Sequence, residues 1–205
     1  MSDAERDWAQ YALLLIDVQR DFWPEKLAES FSDFPSNVAR LLALCRGEDI
    51  EVIHLRAIFE PDMSDWMARY KLRGRIPCVR GTPGAETLPF ARERPGEKVI
   101  LKHSFDGFQS PELLRYLSHR RKRFVLTAGL VTSVCVLLTT AAAAQMGYLT
   151  AVVEDCCADQ PDAHEETLDR YQFMFERTTV DRIPEHHPEW LDRLEELDRL
   201  SRAEP

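Results

Sequence analysis

The stretch "TAGLVTSVCVLLTTAAAAQMG", residues 127–147, runs from strand-like residues through a short turn into a helix of small residues. Cys135 lies near the start of that helix. A buried strand that leads directly into a helix is the repeating unit of parallel sheets with helices on both faces. The stretch therefore predicts an α/β fold. It also places one thiol near the carboxyl end of a strand, where such folds bind their ligands.

Short aliphatic runs recur on either side of this stretch and alternate with helical patterns. Most have little polar alternation, as is typical of parallel strands that are buried on both faces. The runs are YALLLIDV (11–18), EVIHLRAI (51–58), KVILK (98–102), RFVLTAG (123–129) and LTAVVED (149–155). This order predicts a Rossmann-like three-layer α/β/α sandwich around a mostly parallel sheet of about six strands. The length of 205 residues favours one domain, 1–205, since domains hold roughly 150 residues.

Helices are predicted between these strands from caps and apolar spacing. They cover SNVARLLALCRG (36–47), SPELLRYLSHR (110–120), the stretch through Cys135, and PDAHEETLDRYQFMF (161–175). An amphipathic helix at about 187–202 packs either on its own domain or on a second subunit. Residues 59–97 are rich in Pro, Gly and Arg and have no clear period. So long a connection is usually functional, and it is predicted to be the substrate loop.

The composition of the chain indicates which kinds of partner and which cellular location to expect. A net charge of −9 disfavours nucleic acid and anionic membranes, because both require a basic surface. The polar N-terminus lacks a secretory signal, and no apolar run is suited to span a bilayer. Five cysteines without a Cys-x-x-Cys pair indicate neither a disulfide framework nor a zinc site. A small-molecule substrate and a cytoplasmic location are therefore expected.

Three reactive side chains follow or end predicted strands: Asp17, Lys102 and Cys135. The carboxyl ends of parallel strands share one edge of the sheet, so these side chains are expected to converge. A helix start and a lysine both favour a thiolate, and a carboxylate can take the thiol proton. Backbone N–H groups of the turn before Cys135 can stabilise an oxyanion. Taken singly, the three residues are more typical of a loop cap, a solvated lysine and a small core residue than of a catalytic group.

The chain resembles the isochorismatase-like cysteine hydrolase superfamily, which includes nicotinamidases, N-carbamoylsarcosine amidohydrolase, ureidoacrylate and biuret hydrolases, and isochorismatases. The resemblance rests on the order and spacing of LLLIDVQRDF, RGTPGAE, LKHSFDGF, GLVTSVCVLLTTAAAAQMGY and VVEDCCAD. It implies that Asp17, Lys102 and Cys135 form a catalytic triad. It also implies a cis peptide between Leu130 and Val131, an oxyanion hole made by the N–H groups of Val131 and Cys135, and a homo-oligomer, either a dimer or a tetramer.

The sequence also departs from these relatives. Nicotinamidases bind a metal through one Asp and two His after the second strand, but RAIFEPDMSDW (56–66) contains no histidine. His54 is interpreted as a core residue, so no metal and no other cofactor is predicted. Their tryptophan wall is also missing, since the aligned position is about Gly74, although Trp66 can substitute for it from another part of the loop.

Candidate substrate-binding residues are aromatic or basic. Phe22 and Trp23 lie where relatives place an aromatic pocket wall, although such a pair is equally typical of core. Arg73 and Arg75 belong to a basic part of the loop together with Arg69 and Lys71. One of these arginines is predicted to bind a substrate carboxylate in a bidentate manner, the alternative being a solvated basic loop.

The sequence therefore predicts a metal-independent cysteine amidohydrolase. It would cleave a small amide or a ureido or carbamoyl compound through a Cys135 thioester and release ammonia. One alternative is vinyl-ether hydrolysis of the isochorismatase type with Asp17 as general acid, although a retained cysteine is not needed for that chemistry. Another is a catalytically idle binding protein on the same fold. A phosphatase of the haloacid dehalogenase type is disfavoured, because Gln19 stands where its second aspartate is required.

Overall fold

A computed structural model describes residues 7–203 and contains, within that range, one sheet of six parallel strands. The strands are β1 (Tyr11–Ile16), β2 (Glu51–Ala57), β3 (Lys98–Lys102), β4 (Phe124–Leu130), β5 (Leu149–Ala158) and β6 (Glu176–Thr178). Their order across the sheet is β3-β2-β1-β4-β5-β6. Helices cover both faces, so the predicted three-layer α/β/α fold is confirmed.

The helices of the described range are α1 (Glu25–Ser30), α2 (Phe34–Gly47), α3 (Ala68–Arg73), α4 (Pro111–His119), α5 (Leu137–Gln145), α6 (Pro161–Arg170) and α7 (Ile183–Ala203). Shorter 3-10 turns lie at Arg20–Phe22, Pro83–Ala85, Pro89–Ala91, Gly107–Gln109 and Val180–Arg182, and a π-helical turn lies at Thr132–Val136. None of these helices is long and apolar enough to cross a membrane.

Alternate side chains of β1 build the two halves of the core. Leu13 and Leu15 pack on one face with residues of α2 and α7. Leu14 and Ile16 pack on the other face with residues of α4, α5 and α6. Every residue of β1 and β4 is buried, which explains why both strands are nearly continuous apolar runs.

The C-terminal helix packs on its own domain. Trp190 and Leu194 are buried in the core, and the Trp190 ring lies 4.6 Å from that of Phe124. The Trp190 Nε1 donates a hydrogen bond of 2.9 Å to Glu176 in β6. The helix begins at Ile183, four residues before the predicted start near residue 187, because Ile183 is itself a buried core residue.

Close approach of β1 and β4 fixes the geometry at the carboxyl edge of the sheet. Gly129 has a φ of 127°, and a Cβ added there would lie 2.0 Å from the Ile16 carbonyl oxygen. The register between β4 and β5 also shifts between Thr127 and Gly129. Only glycine fits this contact, which brings the residue after β1 close to the turn after β4.

The 59–97 segment ends at Glu97, which ties it to the sheet and to α2. Glu97 accepts hydrogen bonds from Arg46 Nε (2.6 Å) and from the Arg94 N–H (2.8 Å), and its Oε2 lies 2.9 Å from His54 Nε2. Burial raises the pKa of Glu97, but hydrogen bonds from Arg46 and Arg94 outweigh it and lower that pKa to about 2.

Glu97→Gln is expected to lower the free energy of unfolding at pH 7 by roughly 2 kcal/mol, a value reduced for partial exposure. A depressed folded-state pKa stabilises the protein above the unfolded pKa, and that stabilisation is lost as pH falls toward 2. The difference in the free energy of unfolding between wild type and Glu97→Gln should therefore shrink as pH falls from 5 to 3, as measured by urea titrations. Exposed Glu29→Gln serves as the control and should change little. A difference that stays constant with pH would contradict this role of the charge.

Candidate active site

Asp17 follows β1 directly and points its carboxylate across the end of β2. It is fully buried and adopts a left-handed backbone conformation with a φ of 51°. Its Oδ1 accepts a hydrogen bond of 2.8 Å from the Ala57 N–H at the end of β2. A carboxylate buried this deeply requires a positive partner to stay ionised.

Lys102, the last residue of β3, supplies that partner. Its Nζ lies 2.6 Å from Asp17 Oδ2, and both side chains are at most 1% exposed. The ammonium also donates to the carbonyl oxygens of Ser104 (2.8 Å) and Phe105 (3.3 Å). β3 and β1 lie on either side of β2, so the lysine side chain spans the end of the middle strand to reach Asp17.

The turn after β4 carries the thiol. The peptide bond between Leu130 and Val131 is cis, and the π-helical turn Thr132–Val136 follows it. The Val131 carbonyl accepts hydrogen bonds from the N–H groups of Val134 (3.2 Å) and Val136 (3.3 Å). These bonds wind the chain tightly around the position of Cys135, between β4 and α5.

Cys135 is 6% exposed, and its thiol lies near enough to Asp17 and Lys102 for both groups to influence its pKa. Burial, together with the Asp17 charge, raises the pKa of the Cys135 thiol well above its usual range, and the opposite effect of Lys102 is smaller. The resting sulfur is therefore a protonated thiol beside a carboxylate. The lysine alone does not produce the thiolate, so proton transfer to Asp17 is required before the sulfur can attack.

Asp17 and Lys102 shift each other's pKa values. Burial raises the pKa of Asp17, and the charge and hydrogen bond of Lys102 oppose that rise. Burial lowers the pKa of Lys102, but Asp17 more than offsets the effect, so that pKa is raised. The resulting arrangement is a thiol next to a buried ion pair, which places a base and a nucleophile in contact.

A cavity of about 210 Å³ opens onto Lys102 and Cys135, with Asp17 buried behind them. Lys102 and Cys135 lie in its wall, beside Val131 and Val134 of the turn. The remaining wall is mostly aromatic or aliphatic and includes Phe22, Phe59, Met67, Tyr70, Ile76 and Phe105. The reactive thiol therefore faces a small, mainly apolar chamber.

Comparison with known proteins identifies the family of this chain. A profile of the isochorismatase domain matches residues 11–181. The chain belongs to the isochorismatase family. It is therefore related to hydrolases, and its sheet and helices follow the fold of that family.

Three relatives illustrate the range of the isochorismatase family. A family member from Desulfovibrio vulgaris is 29% identical, with a TM-score of 0.78 over 86% of this chain and 97% of its own. The N-carbamoylsarcosine amidase of Thermoplasma acidophilum shares the fold at 23% identity, with a TM-score of 0.71 over 85% of this chain and 98% of its own. An Arabidopsis thaliana protein described as a probable inactive nicotinamidase is 28% identical over 78% of this chain and 87% of its own.

The predicted aromatic residues of this isochorismatase-family protein separate in the structure. Phe22 lines the cavity. Trp23 instead stacks on Phe34 at 4.6 Å, against the core. Trp66 is buried and its Nε1 donates to the Glu60 carbonyl at 2.7 Å, so it holds the 59–66 part of the loop together. Trp23 and Trp66 do not line the cavity, because packing of the core and loop occupies their rings.

The predicted arginines lie outside the cavity as well. Arg73 ends α3 and Arg75 follows it, and both are exposed. The face of α3 that reaches the cavity carries Tyr70, preceded by Met67 at the helix start. Within residues 7–203, no arginine lines the chamber. A carboxylate held by Arg73 or Arg75 would have to lie outside the chamber, so the bidentate contact stays a prediction that the structure does not support.

His54 is buried against Glu97, as its core interpretation predicts. Asp65 lies in the segment after β2, where it accepts a hydrogen bond from the Glu60 N–H (2.9 Å) and lies 2.8 Å from His103 Nδ1. Among residues 7–203, no three His, Cys, Asp or Glu side chains are grouped to hold a metal ion.

Two polar residues just after Asp17 bind the 59–97 segment, and sequence reasoning did not assign them a role. Gln19 Nε2 donates to the carbonyls of Ala57 and Ala85, each at 2.9 Å. Asp21 accepts a hydrogen bond of 2.7 Å from the Cys78 N–H. A Cβ at Gly84 would lie 2.1 Å from the Asp21 carboxylate, so the RGTPGAE motif packs directly on the end of β1. The one sequence feature that could have pointed to Gln19 and Asp21 is their position directly after a strand end.

Proposed function

We propose that this protein is a cysteine amidohydrolase that releases ammonia from a small amide through a Cys135 thioester. The observation that carries the proposal is the 2.6 Å Lys102–Asp17 ion pair beside a buried thiol that lines a small, mainly apolar cavity. A base, a cation and a nucleophile, the groups required for nucleophilic catalysis, thus lie side by side. The steps below use these side chains and backbone groups alone.

Acylation begins when Asp17 takes the proton of the Cys135 thiol. The thiolate attacks the amide carbonyl carbon, forming a C–S bond and a tetrahedral oxyanion. The N–H groups of Val131 and Cys135 would donate to that oxygen. Protonated Asp17 then gives its proton to the amide nitrogen, the C–N bond breaks, and ammonia leaves the thioester behind.

Deacylation reverses the roles with water as nucleophile. Asp17 takes a proton from water, whose oxygen attacks the thioester carbonyl and forms a second oxyanion. This intermediate collapses with cleavage of the C–S bond, and the sulfur recovers its proton from Asp17. The carboxylic acid product leaves. Lys102 stays protonated throughout and stabilises the carboxylate form of Asp17 each time it is regenerated.

The chamber favours an uncharged acyl group. Its wall is formed by rings and aliphatic chains, and Lys102 is already committed to Asp17 and two carbonyls. A substrate carboxylate placed there would lose its hydration without gaining a free cation, which is costly. An aromatic or aliphatic primary amide is therefore favoured over ureido or carbamoyl acids.

An ammonia-release assay tests the proposal with two matched groups of compounds. Benzamide, nicotinamide and isobutyramide form the uncharged group, and N-carbamoylglycine, ureidoacrylate and maleamate form the charged group. Wild type should release ammonia from at least one uncharged amide, with kcat/KM at least about tenfold above any charged compound. Cys135→Ala should abolish that release.

Other outcomes would identify the competing functions. Consumption of isochorismate that survives Cys135→Ala would indicate vinyl-ether hydrolysis with Asp17 as acid. Absence of turnover on every compound would favour the idle binding protein. Preference for the carboxylate-bearing compounds would overturn the substrate class while preserving the chemistry.

A further inference from the structure

A carboxylate outside the triad holds the turn that carries the nucleophile. Asp159 follows β5 and is 8% exposed. Its Oδ2 accepts two hydrogen bonds from Ser133, one from the backbone N–H at 2.9 Å and one from the hydroxyl. Its Oδ1 accepts from the Gln160 N–H at 2.7 Å. Both oxygens are thus occupied, and each contact is local to the β5–α6 connection or to the turn.

The neighbouring residue of the turn is fixed from the same side. Thr132 Oγ1 lies 2.8 Å from His164 Nδ1, and both side chains are buried. His164 belongs to α6 and packs edge-on against Phe31 at 5.1 Å. Two consecutive residues of the turn are therefore attached to side chains of the β5–α6 region.

These two residues lie between the proposed oxyanion donors. Val131 precedes Thr132 and Ser133, and Cys135 follows them two residues later. A rotation of the backbone at Ser133 would move both N–H groups relative to the carbonyl oxygen of a substrate. Oxyanion donors act only within a narrow geometric range, and a displacement of about 1 Å can cost about 100-fold in rate.

We propose that Asp159 is a positioning residue that acts through Ser133 to hold the Val131 and Cys135 N–H groups toward the oxyanion. This inference rests on the proposed function of the Cys135 site. Asp159 is proposed to control the position of the oxyanion donors, whereas Asp17 and Lys102 control the protonation of the thiol. Asp159 should therefore affect oxyanion binding and leave the reactivity of the thiol unchanged.

The test measures thiol reactivity and oxyanion binding separately. Iodoacetamide alkylation of Cys135, followed by mass spectrometry of its peptide, reports the thiol, because alkylation forms no oxyanion. Protection by benzaldehyde against that alkylation measures how well the N–H groups of the turn bind an oxyanion. The thiol adds to the C=O carbon to form a hemithioacetal: Asp17 takes the thiol proton, the C–S bond forms, and the former carbonyl oxygen carries the negative charge at the oxyanion position. This readout requires no turnover, so it separates failure of the inference from failure of the proposed function.

Asp159→Ala is expected to weaken benzaldehyde protection about 30-fold and to lower kcat on the best uncharged amide by about 30- to 100-fold. KM and the alkylation rate without aldehyde should change less than about threefold. Ser133→Ala should have a smaller effect, because the Ser133 N–H bond remains. It should add little in the Asp159→Ala background, because the two residues act together.

Two further variants complete the test. Asp159→Asn keeps an acceptor for Ser133 but brings an amide N–H toward the Gln160 N–H, so an intermediate loss is expected. Exposed Asp162→Ala, in the first turn of α6, is the matched control and should behave as wild type. Unchanged protection in Asp159→Ala would overturn the inference. So would equal losses of protection and alkylation, which would show an effect on the thiol or the fold. Absence of protection in wild type would overturn it as well.

Discussion

Replacing Cys135 with alanine is expected to lower amide turnover by roughly 10⁴-fold or more. In the proposed mechanism the sulfur forms the thioester, and Cys135 is the cysteine that lines the cavity beside Lys102. Folding should change little, because the side chain is small and alanine leaves only a minor cavity, costing about 1 kcal/mol. Steady-state ammonia release and urea unfolding of the same preparation measure the two effects together.

Cys45→Ala is the matched control for this experiment. Cys45 is also buried, and burial raises the pKa of its thiol to about 12. It lies in α2 and packs in the core on the opposite face of the sheet from Cys135. Cys45→Ala should keep full turnover. Wild-type turnover in Cys135→Ala would contradict the thioester mechanism.

Mass spectrometry provides a second view of the same prediction. Wild type is mixed with an amide that it hydrolyses, and the reaction is quenched in acid during turnover. The acyl group should then be found on the peptide that contains Cys135. Cys135→Ser should bind the amide without accumulating an acyl ester, since a serine hydroxyl beside Asp17 is a much weaker nucleophile than a thiolate. An acyl group found on another cysteine would show that Cys135 is not the nucleophile.

The sequence predicted much of this architecture because its strands are unusually clear. β1 and β4 are buried on both faces, so they read as continuous apolar runs. Once those strands were identified, Asp17, Lys102 and Cys135 could be placed at one edge of a parallel sheet. The structure pairs Asp17 with Lys102 at 2.6 Å and places Lys102 and Cys135 in the wall of one cavity.

Features that depend on tertiary contacts were not predictable in the same way. β6 has three residues, two of them charged, and it was not identified because Glu176 and Arg177 form ion pairs with other elements. The predicted helix at 161–175 ends at Arg170 for the same reason, since the chain must reach that strand. Local sequence carries little information about such a short edge strand.

The walls of the chamber were the hardest part to predict. The path of the 59–97 segment is fixed by contacts to distant residues, such as Asp21 with the Cys78 N–H and Gln19 with the Ala85 carbonyl. Spacing in the sequence does not reveal which face of α3 turns inward. Arginines were therefore expected in the cavity, but Met67 and Tyr70 are the residues that line it.

The second large effect is expected in stability, from separating the buried Asp17–Lys102 pair. Lys102→Met removes the cation and leaves a carboxylate with no opposite charge in a fully buried position. Breaking such a pair typically costs about 3–5 kcal/mol. Asp17→Asn should cost a similar amount, because it leaves the ammonium uncompensated. Urea titrations at pH 7 measure both, and both variants should lack amidase activity.

The double variant distinguishes charge from packing. Asp17→Asn combined with Lys102→Met has no buried charge, and its side chains have nearly the native volumes. Its free energy of unfolding should be within about 2 kcal/mol of wild type, and higher than that of either single variant. A double variant that loses the sum of both single effects would show that the two side chains stabilise the protein independently.

The pH dependence of Lys102→Met provides a further test with a definite sign. Burial raises the pKa of Asp17, and Lys102 is the group that opposes the rise, so removing the lysine should raise that pKa further. A raised folded-state pKa means that the folded protein binds a proton that the unfolded chain has released. The stability of Lys102→Met should therefore fall as pH rises through that folded-state value. Its deficit relative to wild type should be smaller at pH 5 than at pH 8. An equal deficit at both values would mean that the cost arises from lost packing of the lysine chain, because only the charge responds to pH.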